Sequence, residues 1–262
     1  MVSMVSELFS AQAFNTILHD PRFIAAVVVT LISGVVRGFS GFGSALIYIP
    51  LIAAIYEPRI AAVTLLVTDF SASAPFSVAQ MRHCNWREVS PVTFGALATI
   101  PLGVLALEYL DPLVLRWCIA ILVIGLLAVL ASGWRYQVTP RVSTSLGIGL
   151  ISGVSTGAVQ IAGPAAIIYW LGGPSSAPVI RANLMVYFML LAIASFVIYF
   201  FRGLFTADVL LMSILLPVFV VSMTAGAWMF KGASEHAYRR AAYIIIALSA
   251  LVSLPLFDEL IR

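Results

Sequence analysis

Two charged residues, Arg37 and Asp69, lie deep inside apolar sequence. Arg37 belongs to a glycine-containing stretch, and Asp69 lies at the middle of the apolar run 60–80. Ionisable groups inside apolar spans are rare and costly, and they usually mark functional sites. The guanidinium of Arg37 has a planar fork of donors that suits an oxyanion, and the carboxylate of Asp69 can couple protons or ions. The alternative is a structural Arg37–Asp69 pair that holds the first element against the next helix.

The composition identifies the surroundings of these two residues as a membrane. Hydrophobic residues make up 62% of the 262 positions, charged residues make up 10%, and the mean hydropathy is +1.08. Soluble domains carry about 25% charged residues. The net charge of +3 includes a single lysine, so the sequence has no basic patch for nucleic acid. We therefore predict a multi-pass protein that is embedded in the lipid bilayer of the inner membrane.

Apolar runs of about 20 residues predict membrane-spanning helices. Six runs reach or approach that length: 60–80, 89–107, 113–132, 182–201, 209–230 and 241–257. Two other apolar stretches, 23–56 and 143–171, are interrupted by glycine and polar residues, which predicts broken helices. The predicted fold is all-α.

The two interrupted stretches are copies of each other. The segment 31–38 matches 150–157 at six of eight positions, and later residues match at offsets of 122 and 123. The sequence therefore predicts two related halves, each a broken or re-entrant element followed by three helices. The expected divisions are a flank (1–22), a first repeat (23–134), a linker (135–142), a second repeat (143–257) and a tail (258–262).

The distribution of charge predicts the topology. If each interrupted element enters and leaves on one side, eight basic and two acidic residues collect on one side of the membrane. Five basic and eight acidic residues then collect on the other side. The positive-inside rule places the first side, with the linker, in the cytoplasm and both termini outside. Three crossings per half also make the halves inverted repeats, a common plan among transporters.

The broken helices are the expected anion site. Irregular backbone at membrane depth is tolerated where it lines a cavity, and the N-terminus of a half-helix attracts an anion. Half-helices are expected after Gly43 and after Gly163. With Arg37, the predicted substrate-binding residues are Gly38, Ser40, Gly41, Gly43, Ser44, Ser155, Thr156, Gly157, Gln160 and Gly163, and Asp69 is the coupling residue. The alternative role of the spaced glycines is close helix packing.

The sequence offers no chemistry for an enzyme. His19, His83 and His236 lie in flanks or loops without partner spacing for metal binding or catalysis. Cys84 and Cys118 have neither a metal spacing nor a disulfide framework. No phosphate loop, zinc signature or nucleophile elbow is present. We expect no enzyme activity, no cofactor and no metal.

The paired glycine motifs resemble the TauE/SafE sulfite exporter family, also called putative sulfite or organosulfonate permeases. The residues that carry the resemblance are Gly34, Gly38, Gly41 and Gly43 in the first half and the segment 152–157 in the second. The arrangement of eight segments agrees, so the resemblance covers nearly the whole chain. Membership implies export or uptake of sulfite, sulfoacetate or related oxyanions.

These observations together predict a secondary transporter of a small anion, sulfite or an organosulfonate such as sulfoacetate. Asp69 suggests protons as the coupling ion, and the sequence is compatible with a homo-oligomer. Two alternatives stay open at this point. One is a passive anion channel on the same scaffold, and the other is a membrane assembly factor that transports nothing. The duplicated and costly backbone breaks argue against the assembly factor.

Overall fold

The computed structural model describes residues 21–40, 43–132, 141–161, 164–171 and 175–229. Within these ranges the regular structure is helical: α1 Pro21–Ser40, α2 Ser44–Ile55, α3 Pro58–Gln80, α4 Trp86–Tyr109, α5 Pro112–Ala131, α6 Val142–Val159, α7 Pro164–Leu171, α8 Ala177–Phe201, α9 Ala207–Met212 and α10 Leu216–Met229. A 3₁₀ turn, Ser213–Leu215, joins α9 to α10. The all-α fold predicted from the apolar runs is confirmed.

Local sequence signals set several helix ends. The Asn85 side chain accepts a hydrogen bond from the backbone N–H of Arg87 at the start of α4. The Asp111 carboxylate accepts one from the N–H of Leu113 at 2.7 Å at the start of α5. These side chains satisfy backbone donors that the first turn of a helix leaves without partners.

Each interrupted stretch reverses direction at its break. In the first half, the Tyr48 hydroxyl of α2 bonds Thr64 of α3 and lies beside the side chain of Thr30 in α1. In the second half, the hydroxyls of Ser145 in α6 and Tyr169 in α7 are hydrogen bonded at 2.6 Å. The Tyr48–Thr30 and Ser145–Tyr169 contacts each join residues on opposite sides of a break. The pairs α1–α2 and α6–α7 are therefore antiparallel hairpins.

The first helix of the first half packs against the last described helix of the second. Gly34 faces Phe219 and Ser222, and Gly38 faces Met223, so α1 and α10 run parallel. A Cβ at Gly38 would overlap the backbone carbonyl of Met223. The small residues thus let the two backbones approach closely.

The equivalent helices of the other pair, α6 and α4, make the same kind of contact. Gly149 faces Val92 and Gly157 faces Ile100, so these two helices are also parallel. A Cβ at Gly157 would overlap the carbonyl of Ile100. The first helix of each half is therefore packed against a helix of the other half.

The apolar core forms two clusters on either side of α3. One cluster joins α1, α2, α5 and α10, and the other joins α4, α7 and α8. Helix α3 contributes Ala61 and Leu65 to the first and Ala62 and Leu66 to the second. Because α3 lies between the clusters, its polar residues are placed between the two hairpins.

A partly buried polar cluster joins the halves where α4 and α8 begin. The Asn183 side chain accepts from the backbone N–H of Asn85 at 2.7 Å and donates to Glu88 at 3.0 Å. Glu88 also accepts hydrogen bonds from the side chains of Asn85 and Ser175. At the opposite ends of the same two helices, Arg202 pairs with Glu108. Helices α4 and α8 are therefore fixed to each other at both ends.

Seven stretches of the described chain are helical, long and apolar enough to cross a membrane, namely Pro21–Gly38, Pro58–Gln80, Trp86–Tyr109, Pro112–Val129, Val142–Val159, Pro178–Phe201 and Ala207–Met229. Five of the six predicted full-length runs are among them, and 241–257 lies outside the described residues. The first arm of each hairpin is also long enough, which the sequence did not indicate. The domain divisions, the topology and the inverted relation of the halves stay predictions.

Candidate functional site

The two helix breaks open onto one cavity of about 70 Å³. The first break contributes Gly43 and Ser44, and the second contributes Gln160 and Ile161. Since an internal water needs about 10–15 Å³ on this measure, the space corresponds to roughly five water molecules. Asp69, which lines the same cavity, lies at the middle of α3. The cavity is therefore small, partly open and level with the centre of a full-length helix.

Arg37 and Asp69 form an ion pair at the wall of this cavity. Arg37 Nε lies 2.8 Å from Asp69 Oδ1, and Arg37 Nη2 donates to Asp69 Oδ2 at 3.0 Å. The side chain of Arg37 is 7% exposed and that of Asp69 is 22% exposed. The guanidinium carbon also lies 6.0 Å from the centre of the Phe188 ring, within the range of a cation–π interaction. Both members of the pair line the cavity.

The first break places a helix N-terminus beside this pair. Gly43 has φ 98° and precedes α2, a backbone conformation that glycine adopts without the strain of a Cβ. The buried Ser44 hydroxyl donates to Asp69 Oδ1 at 3.0 Å. The first turn of α2 therefore presents backbone N–H groups and their partial positive charge to the cavity.

The second break contributes the amide of Gln160. This residue ends α6 with φ 53°, in the left-handed region, and its backbone N–H still bonds the carbonyl of Thr156. Its Nε2 donates to the Thr156 carbonyl at 3.1 Å and to the Tyr199 hydroxyl at 3.2 Å. The Tyr199 hydroxyl in turn donates to the carbonyl of Gly157 at 2.8 Å. The Gln160 side chain is thus fixed by α6 and α8.

Several predicted site residues lie away from the cavity. Gly38 and Gly157 occupy the two close helix contacts described above. The hydroxyls of Ser155 and Thr156 donate to the Ser152 carbonyl within α6. Of these four residues, Thr156 is connected to the cavity through its carbonyl, which holds Gln160.

Three predicted positions are not described in full. Gly41 and Gly163 lie outside the described residues, and of Ser40 only the backbone is described. The predicted cavity residues that the structure brings together are therefore Arg37, Gly43, Ser44, Asp69 and Gln160.

Sequence reasoning missed the contribution of α8. Phe188 lies against Arg37, and Tyr199 holds Gln160. Both residues belong to an uninterrupted apolar run, so no local pattern distinguished them from core aromatics. Among the described residues, no group of three His, Cys, Asp or Glu side chains could hold a metal ion.

Long apolar helices, two broken helices and a charged cavity between them define a multi-pass membrane protein of the transporter class. The profile of the family described as sulfite exporter TauE/SafE matches residues 26–253. The chain belongs to the sulfite exporter TauE/SafE family, as its glycine motifs predicted. It is a membrane anion transporter of the inner membrane, and its family is not one of enzymes.

One relative is a protein of Cupriavidus necator named probable sulfite/organosulfonate exporter TauE. It is 29% identical to this chain over 203 residues, which cover 75% of this chain and 78% of the relative. No solved structure gives a significant match.

Proposed function

We propose that the protein is a secondary transporter that binds sulfite or an organosulfonate, such as sulfoacetate, in the cavity between the two helix breaks. The observation that carries this proposal is the meeting of both breaks at one cavity that also holds Arg37. The name of the Cupriavidus necator relative supports the substrate class. The small cavity volume favours a small anion.

The charges in the cavity support an anion that binds beside the pair. Arg37 and Asp69 together are neutral, and the N-terminus of α2 adds about half a positive charge. Oxyanion oxygens are expected to accept hydrogen bonds from the guanidinium and from backbone N–H groups at Gly43 and Ser44. Gln160 reaches the same ligand from the second break.

Asp69 is the proposed coupling residue. While its carboxylate is ionised, it is paired with Nε and Nη2 of Arg37 and competes with an anion for the guanidinium. Protonation of Asp69 would weaken that pair and release the donors of Arg37 to the substrate. A proton and an anion would then bind together, which is the linkage that a proton-coupled carrier needs.

The predicted inverted repeats supply the proposed movement. Two hairpins related by inversion can expose the cavity alternately to the two sides of the membrane. A passive anion channel on the same scaffold would instead conduct without a saturable bound state.

Flux in proteoliposomes tests the proposal. The purified protein should release trapped radiolabelled sulfite or sulfoacetate at a rate that saturates with concentration and rises with an imposed proton gradient. Arg37→Gln should reduce this flux at least tenfold, while Arg82→Gln, a matched change at an exposed residue outside the cavity, should not.

Each alternative predicts a different result from the same measurement. Flux that never saturates and ignores the proton gradient would favour the channel. No flux and no binding of any sulfur oxyanion would favour the assembly factor and end the transporter proposal.

A further inference from the structure

The orientation of the Gln160 amide is fixed by its surroundings. Nε2 lies 3.1 Å from the carbonyl oxygen of Thr156, which can only accept. An amide turned the other way would bring two carbonyl oxygens together, which is unfavourable. The nitrogen is therefore held at the Thr156 carbonyl for a physical reason.

Tyr199 imposes the same orientation independently. Its hydroxyl proton is donated to the carbonyl of Gly157 at 2.8 Å, so its oxygen is the acceptor toward Gln160 at 3.2 Å. Both amide hydrogens of Gln160 are then used within the protein. The polar atom that Gln160 retains for a ligand is Oε1, which accepts and cannot donate.

The wall of the cavity thus carries an acceptor as well as donors. Gln160 lines the cavity, and Oε1 is its remaining polar atom. A fully deprotonated dianion has only acceptors, so it would face this oxygen unfavourably. With Asp69 protonated, as the proposed coupling requires, the Arg37–Asp69 pair carries one positive charge, which balances one negative charge and not two.

We propose that Gln160 selects monoanions that carry a hydrogen-bond donor, and that Tyr199 is the positioning residue that holds its amide in the accepting orientation. The inference rests on the proposed function, because it assigns a substrate class to the same cavity. Ligands of this class include hydrogen sulfite, with its acidic proton, hydroxyalkyl sulfonates, and sulfoacetate in its singly charged form with the carboxyl group protonated. Sulfate, as a dianion without a donor, is disfavoured.

A pair of nearly isosteric ligands tests this selectivity in the purified full-length protein. Isethionate (2-hydroxyethanesulfonate) ends in a hydroxyl, and propane-1-sulfonate ends in a methyl group at the same place. The affinity ratio of the two, measured by calorimetry, should fall about 5–10-fold from wild type to Gln160→Met, the range of one neutral hydrogen bond. The affinity for propane-1-sulfonate should stay nearly constant.

Two variants complete the experiment. Tyr199→Phe should also lower the isethionate preference, because one amide hydrogen of Gln160 loses its acceptor and the amide can turn. A merely structural role of Tyr199 would change stability without changing this ratio. Gln80→Met, the same substitution on α3 outside the cavity lining, should leave the ratio at the wild-type value.

The outcomes separate this inference from the proposed function. An unchanged ratio in Gln160→Met and Tyr199→Phe would overturn the selectivity role while sulfonate binding itself persisted. If Gln160→Met does not fold, the ratio in Tyr199→Phe decides the question. Failure of wild type to bind either sulfonate or hydrogen sulfite would instead refute the proposed function.

Discussion

Removal of the Arg37 guanidinium should destabilise the protein, because it leaves the Asp69 carboxylate without its ionic partner. Both oxygens of Asp69 are paired with Arg37, and Oδ1 also accepts a hydrogen bond from Ser44. Breaking a buried ion pair costs about 3–5 kcal/mol. Because Asp69 is 22% exposed and faces the cavity, solvent screening reduces the expected cost of Arg37→Gln to about 2–3 kcal/mol.

A double-mutant cycle measures this coupling directly. Asp69→Asn removes the unpaired charge, so Arg37→Gln/Asp69→Asn should recover much of the stability that Arg37→Gln loses. The expected loss in the single mutant corresponds to a decrease in melting temperature of about 4–12 °C. The interaction free energy of the cycle should be about 1–3 kcal/mol.

The assay is thermal unfolding of the detergent-purified variants, with and without sulfite. Arg82→Gln is the control for loss of a positive charge at an exposed site. An unchanged melting temperature in Arg37→Gln, or no recovery in the double mutant, would refute the assignment of Asp69 as the main partner of Arg37. In that case an anion would be the better explanation of how the buried arginine is compensated.

Three further predictions concern the fold. A cysteine replacing Gln137 in the linker should resist labelling from outside intact cells, and strong labelling there would contradict the topology prediction. Gly157→Ala should lower the free energy of unfolding by about 1–3 kcal/mol, because the added Cβ overlaps the backbone carbonyl of Ile100 in α4. Gly125→Ala, which has open space around it, should leave that free energy unchanged, and equal melting temperatures of the two variants would refute the packing role. Asn183→Leu should lower stability by about 1–3 kcal/mol by leaving Glu88 short of a donor, and chemical unfolding that matches wild type would show that Glu88 finds another.

The positions of the helix starts after the breaks could be read from the sequence. Glycine is unfavourable within a helix, and Pro164 suits a first helical position. The structure starts α2 at Ser44 and α7 at Pro164, immediately after the glycine segments. Local chemistry decides these boundaries, so no tertiary information was needed.

The division of the glycines between packing and site could not be read from the sequence. A glycine at Gly38 is compatible with either role, and the position of Met223 in a distant helix decides between them. The contribution of Tyr199 was hidden for a related reason. An aromatic residue in a uniformly apolar helix gives no sign of which neighbour it faces until that neighbour is known. Tertiary packing is the information that a single sequence lacked in both cases.

The first helix of each half packs against a helix of the other half, and this packing limits how the proposed transport can occur. Helix α1 is in backbone contact with α10, and α6 is in backbone contact with α4, so each hairpin is packed closely against a helix of the other half. The cavity lies at the two helix breaks, beside α3. If access to the cavity alternates, we expect each hairpin to move together with the helix that it packs against. The ion pair between Arg37 on α1 and Asp69 on α3 joins the first of these pairs to α3, so we expect the distance between these two residues to change when the site opens.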